Sequence, residues 1–232
     1  MAENFYRPRI NLTRTLPVQN AYTLALDGEF SHVAFNEERA PLNKGKWRSD
    51  VFKVADGTPL DVEIGTGAGT HFAHYANSHP TRLIVGLELK YKPLIQSIRR
   101  AVKGGSKNAA IARYHAFNLD ELFTDAEIND VFIHFPDPWT SPKKPKNRVV
   151  SRRILDGIYD MQRSGSILDF KTDSRDYFLW ALEEIKASRY KVVFQTLNLH
   201  NSEMKDENFI TTFERIFINQ GIEINFIRLL KE

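Results

Sequence analysis

From residue 60 onward, short apolar runs alternate with segments whose apolar residues recur every three to four positions. The runs at 60–64, 82–87, 109–114, 131–135, 167–170, 191–196 and 222–228 have the length and β-branched character of strands. The segments at 70–77, 93–102, 151–161, 176–187 and 213–219 carry the helical period, and Gly104 and Gly105 close the second of them. Strands that read as continuous apolar runs, separated by amphipathic helices, predict an α/β fold. Its sheet is mostly parallel, with seven strands and helices on both faces. Residues 1–55 break the rhythm. Pro8, Pro17 and Pro41 stand among scattered apolar positions such as Phe30, Val33 and Phe35, so this part is expected to form an irregular arm with one short helix. The single domain then runs from 56 to 232.

Ligands of such a sheet bind where its strands end, and the informative residues sit at those ends. The first predicted strand runs into Glu63-Ile-Gly-Thr-Gly-Ala-Gly69. Glycines at 65, 67 and 69 permit a tight turn and close approach to a ligand, with a helix N-terminus beyond. The spacing is G-x-G-x-G, whereas a dinucleotide fingerprint is G-x-G-x-x-G. The acid Glu63 would repel a pyrophosphate but suits a cationic ligand, which disfavours a nucleotide-dependent dehydrogenase. Glu88 ends the second strand, about 20 residues past the loop, where an acid accepts the hydroxyls of a ribose. The third strand leads into Tyr114-His-Ala-Phe-Asn118, which puts His115 and Asn118 near the adenine end of such a ligand.

The fourth strand leads into Phe135-Pro-Asp-Pro-Trp139. A carboxylate held between prolines, Asp137, beside an aromatic plane, Trp139, suits a nucleobase; packing of Trp139 beneath its own loop is the competing reading. Between Asp137 and Arg153 the chain carries Lys143, Lys144, Lys146, Arg148, Arg152 and Arg153 against one acid, a tract suited to phosphates. His71 and His74 share a helix face at i, i+3 without a third ligand, so no metal is expected.

Composition sharpens this only locally. A formal charge of +3 over 232 residues is nearly balanced, so the basic stretch matters through its position. The absence of cysteine removes disulfides, thiolate metal sites and cysteine nucleophiles. No apolar run approaches the ~20 residues of a membrane span, and the N-terminus lacks the apolar segment of a signal peptide. A cytoplasmic location is expected. A monomer and a homodimer are equally compatible with the sequence.

Taken in order, Glu63-Ile-Gly-Thr-Gly-Ala-Gly69, Gly86-Leu-Glu88, Phe135-Pro-Asp-Pro-Trp139, Lys171-Thr-Asp173 and Thr211-Thr-Phe-Glu214 resemble the bacterial tRNA (guanine-N7-)-methyltransferases. These are class I S-adenosylmethionine-dependent methyltransferases with a Rossmann-like fold. The resemblance covers about three quarters of the chain. It implies methyl transfer from S-adenosylmethionine to N7 of a tRNA guanine, at position 46 of the variable loop. It also implies Asp137 as the catalytic residue and Glu63, Gly65, Gly67, Glu88, His115, Asn118 and Asp137 around the donor. Trp139, Lys143, Lys144, Asp173, Thr211, Thr212, Phe213 and Glu214 would then contact the tRNA. The chain departs from the family pattern at Ser141 and Thr212, where lysines are usual. Those departures motivate two alternatives: an RNA-binding protein that kept the fold without the reaction, or a methyltransferase with another nucleic-acid acceptor.

Overall fold

A computed structural model describes residues 8, 10–141 and 147–232. Lys143, Lys144 and Lys146 lie outside the described residues. Among those described there are eight strands: β1 (Ala34–Phe35), β2 (Leu60–Ile64), β3 (Leu83–Leu87), β4 (Ala109–Ala112), β5 (Val131–His134), β6 (Ile167–Thr172), β7 (Lys191–Thr196) and β8 (Asn225–Leu230). They form one sheet in the order β1-β4-β3-β2-β5-β6-β8-β7. Every pairing is parallel except those of β8, which runs antiparallel to both β6 and β7. The helices are α1 (Ala21–Asp27), α2 (Thr70–Ser78), α3 (Tyr91–Lys103), α4 (Arg152–Met161), α5 (Arg175–Lys186) and α6 (Thr212–Asn219).

All residues of β2, β3 and β4 are buried, which is why they read as unbroken apolar runs rather than as alternations. One core unites Leu60, Val62, Val85, Ile133, Leu155, Ile158, Phe170 and Phe178 on the face of α4 and α5. The other unites Leu26, Phe30, Phe72, Ile84, Leu94, Ile98 and Ile111 on the face of α1, α2 and α3. Burying a side chain of that size is worth about 1.5–3 kcal/mol, so these two layers dominate the favourable side of folding.

The sheet has one strand more than the seven expected. Strand β1 pairs with β4 through Ala34↔Ile111 and Phe35↔Ala112, and two residues are too short to leave a period in the sequence. The segment read as an arm supplies α1, whose Asn20 side chain forms a capping box with Thr23. It also supplies Trp47, fully buried between Phe35 and Phe123, with its indole N–H donating to the Leu122 carbonyl at 2.9 Å.

Candidate functional site

Register brings the strand ends to one rim. Ile64 pairs with Leu87 of β3 and with Ile133 of β5, and His134 pairs with Lys171 of β6. Gly65 is therefore level with Glu88 on one side and His134 on the other, and Asp137 lies three residues further out.

The glycine loop is shaped by backbone that side chains resist. Gly65, Gly67 and Gly69 all have positive φ. A Cβ on Gly69 would also sit 2.4 Å from the Ser97 Cα of α3, so the loop lies directly on that helix. Glu88 fastens it from the other side: one carboxylate oxygen accepts from the Gly67 N–H at 3.0 Å, the other from the Lys90 N–H at 2.9 Å. Burial pushes the Glu88 carboxyl above its ordinary range, and these backbone donors oppose the shift. Beyond β4, His115 accepts from the Phe117 N–H at 3.2 Å, and burial holds its pKa low. Asn118 is buried; its Nδ2 points to the Pro8 carbonyl at 3.4 Å, whereas its Oδ1 has no partner.

The early chain lies over this rim. The Arg113 guanidinium donates to the Asn11 and Leu89 carbonyls and to Glu37, and it stacks on Tyr91 at 4.2 Å. Thr13 contacts Glu37 and Tyr91 in turn. No sequence motif marks this layer, because its bonds join residues far apart in the chain, from Asn11 and Thr13 to Arg113.

On the other side, the Pro-Asp-Pro-Trp loop is held under strain. Phe135 and Trp139 both take left-handed backbone, at φ 50° and 43°. Such positions cost of order 1–3 kcal/mol each and persist only where the surroundings enforce them. Here the Phe135 N–H donates to the Lys171 carbonyl at 2.8 Å, and the Arg148 Nε donates to the Pro138 carbonyl at 2.9 Å. Between those two anchors Asp137 is exposed, with no hydrogen bond or ion pair to another described residue. Trp139 is 36% exposed, intermediate between the stacking and packing readings.

Three sequence expectations need correction. Arg148, read as part of the phosphate-tracking tract, is buried, and its guanidinium stacks on Tyr177 and Trp180 at 4.9 and 4.8 Å. It clamps the loop instead. Glu214 was placed against the tRNA, yet it is fully buried. It accepts from Lys171 Nζ at 2.6 Å and from Asn208 Nδ2 at 2.6 Å, and it closes a capping box with Thr211 at the start of α6. The Thr-x-x-Glu pattern is thus visible here as a helix cap, with Thr212 and Phe213 as its outward-facing members. His71, paired in sequence with His74, turns instead toward Glu63, with Nδ1 2.8 Å from Oε2. Asp173 is half-buried just past β6.

The residues at the rim suit S-adenosylmethionine. Glu63 and Glu88 offer carboxylates of the kind that suit a cation and a ribose, an unpartnered buried amide oxygen on Asn118 suits an amino group, and the glycine turn leaves room for close approach.

The comparisons agree. Residues 57–227 match the family model described as "Putative methyltransferase". A tRNA (guanine-N(7)-)-methyltransferase of Bdellovibrio bacteriovorus is 65% identical over 208 residues, covering 90% of this chain and all of that protein. One of Brevibacillus brevis is 29% identical over 181 residues, covering 78% of this chain and 83% of the relative. Among solved structures, the 16S rRNA methyltransferase KamB superposes with a TM-score of 0.57 at 15% identity, over 81% of this chain and 92% of that one, a likeness of fold. A family model over most of the domain, and a relative matched over its whole length, show that the chain belongs to the tRNA (guanine-N7-)-methyltransferase family of S-adenosylmethionine-dependent enzymes.

Proposed function

We infer that the protein methylates N7 of a guanine in tRNA, with S-adenosylmethionine as methyl donor. The donor supplies an electrophilic methyl on a sulfonium; the chain supplies position and charge. Glu63, Glu88, Gly65, Gly67, His115 and Asn118 are the residues we assign to holding it along the rim of β2, β3 and β4. Guanine N7 has a lone pair and no proton, so it attacks without a base, the S–CH3 bond breaks as the N7–CH3 bond forms, and the positive charge moves to the guanine. Holding nucleophile and methyl in line contributes up to roughly 7–11 kcal/mol.

Asp137 is the residue we assign to the base. Its carboxylate accepts from the guanine N1–H and amino group, which orients the ring and stabilises its developing charge. The observation that carries this reading is an exposed, unengaged carboxylate between two prolines, held on strained backbone beside the donor rim. A dangling carboxylate with no task would not need that strain. Trp139 stacks on the base in this reading, worth ~1–3 kcal/mol. Asp173, Thr212 and Phe213 meet the RNA beside it, Thr211 and Glu214 shape that surface from beneath, and Lys143 and Lys144 take phosphates. The variable-loop guanine at position 46 is the target that the family resemblance implies.

The test is incubation with methyl-labelled donor and unmodified tRNA transcript, followed by chemical cleavage at N7-methylguanosine. Cleavage at one variable-loop guanine is expected. Donor binding without label transfer would overturn the reading and leave a methyltransferase with another nucleic-acid acceptor, or a non-catalytic RNA-binding protein, in its place.

A further inference from the structure

On the face of the sheet covered by α2, a cavity of about 420 Å³ opens between that helix and the segment from Leu199 to Phe209. Four of the protein's seven histidines line it: His71, His74, His79 and His134. Two of them, His71 and His134, also lie beside Glu63. One ligand atom from each of Glu63, His71 and His134 lies within 4.8 Å of the others. The three come from the end of β2, the first turn of α2 and the end of β5, brought together by the Ile64↔Ile133 register.

Two further observations set this cluster apart from an ordinary core contact. His134 is half-buried, but its Nδ1 is shielded from solvent and has no hydrogen-bond partner, although buried polar atoms nearly always find one. Glu63 is only 2% exposed, and among the described residues no lysine or arginine forms an ion pair with it. Lys171, which feels its charge, is already committed to Glu214. The carboxylate thus has only the His71 imidazole beside it and no fixed counter-charge, and the His134 Nδ1 has no partner at all.

We propose that Glu63, His71 and His134 bind a divalent transition-metal ion of the zinc or cobalt type, with water from the cavity completing its shell. Two imidazoles and one carboxylate are a donor set that such ions accept, with an open position on the solvent side. Bonds of about 2.0–2.2 Å require neighbouring ligand atoms about 3.4 Å apart, so small side-chain rotations suffice to close the site. His74 is not a ligand: its ring stacks on Phe209 at 3.9 Å. The carboxylate oxygen that faces His71 is Oε2, which leaves Oε1 for the methyl donor. The ion would staple β2, β5 and α2 together beneath the glycine loop.

The test uses the full-length, tag-free protein, stripped with a chelator and titrated with Co2+ while its visible absorption is followed. One equivalent is expected to give ligand-field bands that Zn2+ abolishes. His134→Ala and His71→Ala are each expected to weaken binding by roughly tenfold or more, whereas His74→Ala leaves it unchanged. No bands at one equivalent in the wild-type protein would overturn the site, as would a site kept in His134→Ala. The wild-type spectrum decides the matter by itself if a variant fails to fold. None of these readouts involves methyl transfer, so their failure leaves the methyltransferase reading untouched.

Discussion

At the scale of single residues, the two acids assigned to opposite ends of the reaction should separate cleanly in experiment. Asp137 is exposed and makes no bond that the fold depends on, so Asp137→Ala should leave stability and donor affinity nearly unchanged. Its turnover should fall by about 10²–10³, the loss typical of removing one preorganised partner of a developing charge. Full activity in that variant, measured by label transfer to tRNA, would end the assignment. Glu88 behaves differently because it is half-buried and partly desolvated. Its folded-state pKa is raised above the ordinary 4.5, so the folded protein takes up this proton before the unfolded chain does. The donor-free protein therefore gains stability from Glu88 as pH falls through the raised value toward 4.5, and it carries the full cost of the buried charge above that window. Donor affinity should move the opposite way, because a protonated carboxyl is a poorer acceptor for ribose hydroxyls. Titration calorimetry across this range should show affinity dropping on acidification in the wild type, with a flatter profile in Glu88→Gln. Parallel profiles would exclude Glu88 as the ribose acceptor.

At the scale of elements, the Lys171–Glu214 pair ties the end of β6 to the first turn of α6, with both side chains almost fully buried. Desolvation lowers the Lys171 pKa, and Glu214 opposes that shift. Removing one partner strands the other: Glu214→Gln should cost about 3–5 kcal/mol in urea or thermal unfolding. Glu183→Gln, which breaks the exposed pair with Lys186 within α5, should cost about 0.3–0.5 kcal/mol. A loss below about 1 kcal/mol in Glu214→Gln would mean that the Asn208 Oδ1 and the Phe209 carbonyl, which also accept from Lys171 Nζ at 2.8 and 3.0 Å, hold the ammonium without the missing charge. The same pair shows what the Thr-x-x-Glu pattern leaves open in the sequence. A buried capping box and a surface contact are written with the same letters, and only burial tells them apart. Helix α6 was legible because its period is regular, but the role of its first turn was not.

At the scale of the whole molecule, the basic tract after Asp137 bears on affinity more than on chemistry. Replacing Lys143, Lys144 and Lys146 together with alanine should weaken tRNA binding. It should also reduce the slope of log affinity against log salt by about 2–3, on the order of 0.7–0.9 per lost phosphate contact. A slope unchanged from wild type in filter binding would remove the tract from the interface. Among the described residues, no helix is long and apolar enough to cross a membrane.

What the sequence by itself determined is the part of this protein written in local pattern. Strands β2 to β6 and β8 and helices α2 to α5 follow from periods that side-chain burial imposes directly; β7 and α6 are legible from the same kinds of run although most of their side chains are exposed. The glycine loop, Glu88 and the Pro-Asp-Pro-Trp segment are short motifs whose chemistry depends on residues adjacent in the chain. What only the tertiary structure decided depends on neighbours far apart in sequence. The pairing of β1 with β4, the burial of Trp47, the turn of Arg148 from phosphate ligand to loop clamp and the burial of Glu214 all follow from packing between distant segments. The convergence of Glu63, His71 and His134 is of the same kind. Parallel register sets it, by bringing the ends of β2 and β5 level, and neither strand's own residues specify which partner it will meet.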